Sequence, residues 1–355
     1  MERGYLAALQ QVAGLGHKSE MRLMAYFGSA REAWQAHISE WHDCGMTDRI
    51  CEQFLEVKRN LDIHRMIADW EQCGIRLCTR ADEEYPKWLR EIFDPPNLLY
   101  YRGTMIDSDL SIGIVGSRRS TTYGRQAARK IASELTAAGA VVVSGAARGI
   151  DTASHVGALE NGQTIAVLGC GVDVVYPPEN GKLLADITKC GTVISEYPPG
   201  TQPHPGLFPQ RNRIISGISR GLLVVEAAEK SGALITANFA MEEGRDVFAV
   251  PGSIFSATSV GTNRLIQDGV KPILCGKDIL DEYRIAPTEV AIENLLLTNE
   301  EEIVHTALQY DYAMSTEELA NETGLDVSAI AMAVLQLTLR GLIKEESSQR
   351  YIRMK

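Results

Sequence analysis

The central part of the chain alternates between short, almost uninterrupted apolar runs and longer stretches with helical spacing. The apolar runs predict strands near residues 112–115, 140–143, 164–168, 192–195, 221–225 and 247–250, and a shorter one near 272–274. The stretches between them predict helices near 124–138, 152–161, 180–189, 212–219, 233–243 and 261–268. Strands without polar alternation that are separated by helices are typical of a parallel sheet covered on both faces. The pattern therefore predicts an α/β core with a doubly wound parallel sheet over residues 111–278.

The segment before this core shows a helical pattern over residues 1–74, with breaks at Gly14-Leu15-Gly16 and at Gly28. Two helices joined by Gly-Leu-Gly are similar to a helix-hairpin-helix or SAM-like domain, but the acidic balance of this segment favours packing or protein contacts. Residues 75–110 predict two strands separated by Pro95-Pro96, which excludes a helix there. This stretch is interpreted as a connector that adds edge structure to the core.

The last part of the chain differs in character from the core. Residues 279–298 are predicted to be a linker, and residues 299–355 show the spacing of a winged-helix domain, with two short strands after the second helix. That second helix offers Gln336 as its one amide side chain and has no basic residue before Arg340. A winged helix that reads DNA needs such side chains in the major groove. Protein contact is therefore favoured over DNA reading for this module.

Composition excludes several classes of protein. The 355 residues are 45% hydrophobic and 23% charged, and their apolar runs are shorter than the ~20 residues of a membrane span. The seven cysteines form no CxxC pair, so neither a disulfide framework nor a zinc site is predicted. The N-terminal sequence has no secretory pattern, and a cytoplasmic location is expected.

The net charge of −11 is distributed unevenly along the chain. Residues 1–110 hold 13 basic and 18 acidic residues, and residues 276–355 hold 7 basic and 15 acidic residues, whereas residues 111–275 hold 15 basic and 13 acidic residues. A local patch decides whether phosphate binds, and the total charge does not. The core is therefore the part of the chain expected to bind a polyanion.

Small and basic residues follow the predicted strands of the core. The carboxyl ends of parallel strands share one rim of the sheet, where ligands of such folds bind. The stretches placed on this rim are Gly116–Arg119, Ser144–Gly149, Gly169–Gly171, Glu196–Pro198 and Glu226–Ser231. Residues 111–149 contain the same order of parts twice: a strand, then a turn of small residues with arginine, then a helix. Such turns present backbone N–H groups to an anion, so a phosphate cradle is predicted.

Two nucleotide-binding classes do not fit this rim. Gly113, Gly116 and Gly124 lack the GxGxxG spacing, and no acidic residue follows Val143 to bind a ribose, which argues against a dinucleotide. The Walker A lysine motif is also missing. No cofactor and no metal are therefore expected.

A nucleotide-cleaving phosphoribohydrolase is the alternative enzyme interpretation. Such enzymes use a Rossmann-like glycine turn and a rim glutamate, a place that Glu196 or Glu226 could take. Asp151 and His155, four residues apart, could form an acid–base or metal pair, although an N-cap and a packed histidine are more common. The Pro-Gly-Gly-x-Gly-Thr loop of that class is absent, which weakens this alternative.

Polyanion binding accounts for more of the rim residues. The basic side chains placed there are Arg118, Arg119, Arg148, Arg211, Arg213 and Lys230, and some of them are expected to pair with Glu196, Glu226 or Asp151 instead of phosphate. The neighbouring loops 170–181 and 196–210 contain the aromatic residues Tyr176, Tyr197 and Phe208. Their rings could stack on unpaired bases. Several phosphates together with several rings predict single-stranded nucleic acid as the ligand.

Five stretches of the core resemble the DNA processing protein A family (DprA, also called Smf). They are Gly-Ser-Arg-Arg at 116–119, Ser-Gly-Ala-Ala-Arg-Gly-Ile-Asp at 144–151, Phe-Pro-Gln-Arg-Asn-Arg-Ile-Ile-Ser-Gly at 208–217, Lys-Ser-Gly-Ala-Leu-Ile-Thr-Ala at 230–237 and Val-Phe-Ala-Val-Pro-Gly at 247–252. The resemblance implies an extended Rossmann-like core that binds single-stranded DNA and forms a homodimer. It also implies protection of incoming DNA and loading of RecA during natural transformation, in some members with displacement of single-strand-binding protein. It implies no enzymatic activity.

The resemblance, together with Lys182 outside its motifs, gives the predicted set of DNA-binding residues. They are Gly116, Ser117, Arg118, Arg119, Ser144, Gly145, Arg148, Lys182, Phe208, Arg211, Asn212, Arg213, Lys230 and Ser231. Some family members carry a lysine just before the Phe-Pro-x-Arg-Asn-Arg stretch, whereas residues 202–207 here contain none. Lys182 is expected to contribute in its place, and His204 could do so only when protonated.

Overall fold

Nine strands form one sheet in the computed structural model, which describes residues 2–285, 297–310, 312–347 and 349–353. The strands are β1 (Arg76–Thr79), β2 (Leu98–Gly103), β3 (Ser111–Val115), β4 (Val141–Ser144), β5 (Thr164–Val167), β6 (Thr192–Ser195), β7 (Gly221–Val224), β8 (Asp246–Ala249) and β9 (Lys271–Pro272). Their order is β1-β2-β6-β5-β4-β3-β7-β8-β9. From β6 to β9 every neighbouring pair is parallel, while β1 and β2 pair antiparallel at one edge. The predicted α/β fold with a doubly wound parallel sheet is confirmed.

Helices cover both faces of this sheet. The core helices are α8 (Thr122–Ala137), α9 (Ile150–Asn161), α10 (Gly181–Cys190), α11 (Leu207–Ile218), α12 (Gly232–Glu242), α13 (Val260–Gln267) and α14 (Gly276–Glu282). Alternate residues of one strand enter different hydrophobic cores: Val141 and Val143 of β4 lie in one core, and Val142 lies in another. Burial on both faces is the reason why these strands read as continuous apolar runs.

Helix α11 begins five residues earlier than the sequence predicts. Pro209 suggested a loop there, but it occupies the first turn of α11, where a proline is tolerated because its missing N–H would have no partner within the helix. Phe208 is therefore on the first helical turn and not in a loop. Arg211 and Arg213 lie inside the helix, whereas the predicted start near residue 212 placed Arg211 before the helix and Arg213 at its beginning.

The N-terminal segment is helical and packs on the edge strands. It contains α1 (Glu2–Leu9), α2 (His17–Phe27), α3 (Ala30–Gln35), α4 (Ile38–Asp43), α5 (Asp48–Asn60) and α6 (Ile63–Gln72), and a short helix α7 (Lys87–Arg90) lies between β1 and β2. Leu98 and Tyr100 of β2 share a hydrophobic core with Leu6 and Leu9 of α1. The edge strands therefore join the N-terminal helices to the sheet.

The C-terminal segment has a small core of its own. It contains α15 (Asn299–Ala307), β10 (Met314–Ser315), α16 (Thr316–Thr323), α17 (Val327–Leu339), β11 (Ile343–Ser347) and β12 (Arg350–Arg353), with sheet order β10-β12-β11. Ser315 caps α16 through a capping box with Glu318. The winged-helix assignment and the five-part division of the chain stay predictions. Helix α14 crosses the predicted boundary at residue 278, and residues 286–296 of the predicted linker lie outside the described residues.

Within the described ranges, no single helix has the length and apolar composition of a membrane span. Helices α16 and α17 have that length and apolar composition only when they are taken together, and the chain bends by 113° between them.

Candidate nucleic-acid interface

The turn after β3 presents two arginines from a fixed backbone. The N–H of Ser117 donates to the backbone oxygen of Glu226 over 2.8 Å, and the N–H of Arg119 donates to Ser117 Oγ over 3.1 Å. A side chain at Gly116 would place Cβ 2.6 Å from Ile150 Cγ1, so only glycine fits between the turn and α9. The side chains of Arg118 and Arg119 are both exposed above this turn.

A buried carboxylate holds this turn from below. Glu226 is 2% exposed and accepts hydrogen bonds from Thr121 N at 2.9 Å and from Thr121 Oγ1. Thr121 is also the N-cap of α8, where its Oγ1 accepts from Gly124 N over 3.0 Å. A negative charge at a helix N-terminus is stabilising. Glu226 therefore acts as a support of the cradle, with both carboxylate oxygens engaged by the protein.

Arg211 forms the floor of the rim. It is 3% exposed, and its Nη1 donates to the backbone oxygens of Gly145, over 2.6 Å, and Val167. Burial lowers the pKa of Arg211 to about 10. The negative charge of the nearby Asp151 opposes this lowering, and the positive charge of Arg118 adds to it. The guanidinium is thus a buried positive charge behind the exposed arginine at position 118.

The second glycine turn is built around this guanidinium. Ser144 is fully buried and donates its hydroxyl to Ile114 O over 2.6 Å, which ties β4 to β3. A Cβ at Gly145 would lie 2.3 Å from Arg211 Nη1 and 2.6 Å from its Cζ. The glycine therefore provides the space for the guanidinium, and Ser144 has a structural contact instead of a free hydroxyl.

Gly145→Ala is expected to lower the free energy of unfolding by about 1–3 kcal/mol, because the methyl group must displace the buried Arg211 guanidinium. Urea denaturation measures the change. Gly232→Ala is the matched control, since a Cβ at Gly232, the first residue of α12, meets no atom within 4 Å. Equal stability of the two variants would contradict the packing role of Gly145.

Three side chains stack at the side of the cradle. The Arg118 guanidinium lies over the Phe208 ring at 5.0 Å from its centroid, and the Tyr176 ring lies 5.5 Å from Phe208 at an interplanar angle of 31°. All three line one cleft of about 370 Å³, together with Gly145, Arg148 and Arg211. Tyr197 packs against α11, where its hydroxyl donates to Gln210 Oε1 over 3.2 Å.

A second, more open cleft of about 780 Å³ adjoins the first. Its polar lining comes from Gly116, Ser117, Arg118, Asp151, Arg211, Asn212, Ser231 and Thr236. Ser231 is also the N-cap of α12, where its Oγ accepts from Ala233 N over 3.3 Å. Both clefts share Arg118 and Arg211. The two signature arginines therefore form the wall between the clefts.

Five predicted site residues lie outside both cleft linings, and one of them is Ser144, whose hydroxyl bonds to Ile114 O. Arg119 is exposed beside Arg118, Lys230 is exposed in the loop between β7 and α12, and Lys182 is exposed on the first turn of α10. Arg213, by contrast, has only 10% of its side chain exposed and pairs through Nη1 and Nη2 with the two carboxylate oxygens of Glu196, at 3.0 and 2.7 Å. The structure does not bring Arg213 to a position where a ligand could reach it.

Arg148 reaches the first cleft but already has a partner. Its guanidinium makes a two-point contact with the Glu179 carboxylate, and about half of each side chain is exposed. The contact raises the pKa of Arg148 and lowers that of Glu179. Because this pair is open to solvent, an anion can compete for Arg148.

The residues that suggested acid–base chemistry are arranged differently from a catalytic pair. Asp151 borders the second cleft, and burial raises the pKa of its carboxyl group. His155 is fully buried, its Nδ1 lies 2.7 Å from Thr164 Oγ1, and burial lowers its pKa to about 3. The histidine is therefore a neutral core residue that borders neither cleft.

One group of metal-type ligands occurs in the described residues, away from the clefts. Ligand atoms of Cys78, Asp82 and Glu84 lie within 4.8 Å of one another. Arg3 already contacts Asp82 at 2.7 Å, and burial raises the pKa of the Cys78 thiol to about 12. A protonated thiol and a carboxylate in an ion pair are poor metal ligands.

The chain is similar in sequence to known proteins. Residues 76–284 match the family described as DNA recombination-mediator protein A. Protein Smf of Synechocystis is 35% identical over 99% of both chains, and DNA processing protein DprA of Bacillus subtilis is 44% identical over 61% of this chain and 74% of its own.

Two solved structures are also similar. DprA of Streptococcus pneumoniae matches with a TM-score of 0.68 and 37% identity, over 79% of this chain and 97% of that one. DprA of Helicobacter pylori, described with a single-stranded DNA binding mode, matches with a TM-score of 0.54 and 32% identity, over 59% and 96%. The chain therefore belongs to the DNA recombination-mediator protein A family, the DprA/Smf family that its motifs resemble.

Proposed function

We propose that this protein binds single-stranded DNA on the rim formed by the β3 and β4 turns and by α11. The observation that carries the proposal is the position of Arg118, whose exposed guanidinium stands over the Phe208 ring at the wall between two clefts. A charge for a phosphate and an aromatic side chain for a base thus lie side by side, with the Arg118 guanidinium about 5 Å from the Phe208 ring centroid. The solved Helicobacter pylori relative, described as binding single-stranded DNA, supports the same ligand.

The aromatic contacts favour a single strand over a duplex. Phe208 and Tyr176 are half-buried beside Arg118, so part of each ring is open to a base that is not stacked within a helix. In a duplex the bases are stacked on each other and present only their edges in the grooves. Sequence-independent stacking with phosphate contacts is the usual mode of single-strand binding.

A binding role accounts for the rim glutamates better than hydrolysis does. Glu196 is held by Arg213, and Glu226 accepts hydrogen bonds from Thr121 that fix the cradle. A general base must reach the proton that it removes from a substrate or water. Neither carboxylate is available for that step, so the proposed function is non-catalytic and needs no cofactor.

We further infer the biological role from membership of the family. The protein would act in the cytoplasm as a homodimeric recombination mediator that protects incoming DNA, loads RecA during natural transformation and in doing so displaces single-strand-binding protein. The C-terminal segment is proposed to contact a protein, since α17 exposes Met332, Leu335 and Leu339 and has no basic residue before Arg340.

Binding of an oligonucleotide to the full chain is expected to be much tighter for the single strand than for the matching duplex. Its affinity should fall with salt with a log–log slope of about −2 to −3, because three or four neutralised phosphates contribute ~0.7 each. Fluorescence anisotropy at several salt concentrations measures both quantities. Equal affinity for duplex and single strand would refute the proposal, and release of free base from a nucleoside monophosphate would favour the hydrolase.

A further inference from the structure

The loop after β8 carries two adjacent, strongly exposed apolar side chains. Ile254 is 81% exposed and Phe255 is 93% exposed, in a loop that runs from Pro251 to Thr258. Because β8 is parallel to β7 and β3, this loop leaves the sheet on the same rim as the arginine turn. Large apolar groups that stand together in water at such a place indicate a contact surface.

The base of this loop is fixed by hydrogen bonds. Tyr123 donates its hydroxyl to Pro251 O over 3.0 Å, and Gly252 exchanges two hydrogen bonds with the Asn263 side chain, at 3.1 and 3.0 Å. The hydroxyls of Ser256 and Thr258 lie 2.9 Å apart. The loop therefore holds Ile254 and Phe255 out into solvent at little further cost in conformational entropy.

The loop and the phosphate cradle share one anchor. Thr258 donates its hydroxyl to Glu226 Oε1 over 3.4 Å. Glu226 also accepts hydrogen bonds from Thr121 N, through its carboxylate, and from Ser117 N, through its backbone oxygen. Strand β8 is two strands from β3, and two interstrand spacings of about 4.8 Å make about 10 Å. A nucleic-acid strand held at the cradle would therefore reach the loop with its next nucleotides.

We infer that Ile254 and Phe255 form a second base-binding site, in which the Phe255 ring stacks on an unpaired nucleobase and Ile254 packs at its edge. This inference rests on the proposed single-strand binding and extends it by one site along the rim. The occupant is a nucleic-acid base because the apolar pair adjoins the turns after β3 and β7, whose exposed charges are Arg118, Arg119 and Lys230 against Glu229. This net positive charge attracts phosphate. An aromatic side chain beside such charges is the usual means of holding a single strand without reading its sequence.

Phe255→Ala is expected to weaken binding of a single-stranded oligonucleotide by roughly 5- to 150-fold, the effect of losing one stacked base. The salt slope should not change, since no phosphate contact is lost. Phe255→Trp should bind at least as tightly as the natural chain. Tyr26→Ala, which removes a 53% exposed aromatic ring of α2, is the matched control and should bind normally.

An oligonucleotide of abasic sugar-phosphate units provides the decisive comparison. The natural chain and Phe255→Ala should bind it equally, because it offers no base to stack. Equal binding of the two proteins to the normal oligonucleotide would overturn the inference while leaving single-strand binding intact. A lower sedimentation mass of Phe255→Ala without DNA would also overturn it, since the pair would then bind a second copy of the chain. Failure of the natural chain to bind any single strand would instead refute the proposed function.

Discussion

The double variant Arg118→Ala, Arg119→Ala is expected to lose single-stranded DNA binding at moderate salt, with affinity reduced by at least roughly 100-fold. Two charge-assisted phosphate contacts disappear together, and each contributes about 1.5–3 kcal/mol. The Arg118 contact with the Phe208 ring is lost as well. The log–log salt slope should become shallower by about 1.4, which is two phosphates at ~0.7 each.

The fold of this variant should be unchanged. Both side chains are exposed, and the turn is held by the backbone N–H groups of Ser117 and Arg119, which alanine retains. Arg31→Ala, Arg49→Ala is a suitable control because it removes the same charge from exposed positions in the N-terminal helices. Binding would be measured by anisotropy and folding by circular dichroism. If the cradle variant binds like this control, the assignment of the phosphate site is incorrect.

The sequence predicts the core well because its signal is local. Each central strand is buried on both faces, so a run of apolar residues is sufficient to identify it. The start of α11 is missed because proline usually breaks a helix. Only the structure shows that Pro209 lies in the first turn of α11, where its missing N–H costs no hydrogen bond within the helix. Strand β9 is placed one residue late because Lys271 and Pro272 are exposed and carry no apolar pattern.

The site is predicted less completely because its contacts join distant parts of the chain. The cradle arginines and Phe208 are recognisable from their motifs, and the structure brings Arg118 and Phe208 together. The expected pairing of a rim arginine with Glu196 is confirmed by Arg213, but the partner of Arg148 is Glu179, which no spacing rule indicates. The support of the turn by Glu226, across 105 residues, could be found only from a three-dimensional contact.

Arg213 belongs to an ion-pair network that ties the rim to the N-terminal helices. Besides Glu196, its Nε approaches Asp94 Oδ2 at 3.4 Å, and Asp94 Oδ1 lies 2.7 Å from His17 Nε2 on α2. Burial alone would lower the pKa of Arg213, but the charge and hydrogen bonds of Glu196, together with the charge of Asp94, outweigh it and the pKa is raised. The side chains of Arg213 and Glu196 are only 10% and 9% exposed, so water cannot replace either partner.

Arg213→Ala is therefore expected to lower the free energy of unfolding by about 3–5 kcal/mol, because it leaves the Glu196 carboxylate buried without its partner. Replacing both residues, as Arg213→Met with Glu196→Leu, should recover much of this loss, since apolar groups of similar volume need no counter-charge. Arg148→Ala is the matched control, because its ion pair is open to solvent and its removal should change stability little.

Urea denaturation and single-strand binding, measured on the same samples, separate the two roles that Arg213 could have. A structural residue gives a large loss of stability in Arg213→Ala, with binding by the folded fraction retained. A direct phosphate contact gives the opposite result, in which stability is unchanged and the salt slope becomes shallower by ~0.7. Since the guanidinium pairs at two points with the Glu196 carboxylate, which is only 9% exposed, the first result is the one that the ion-pair geometry predicts.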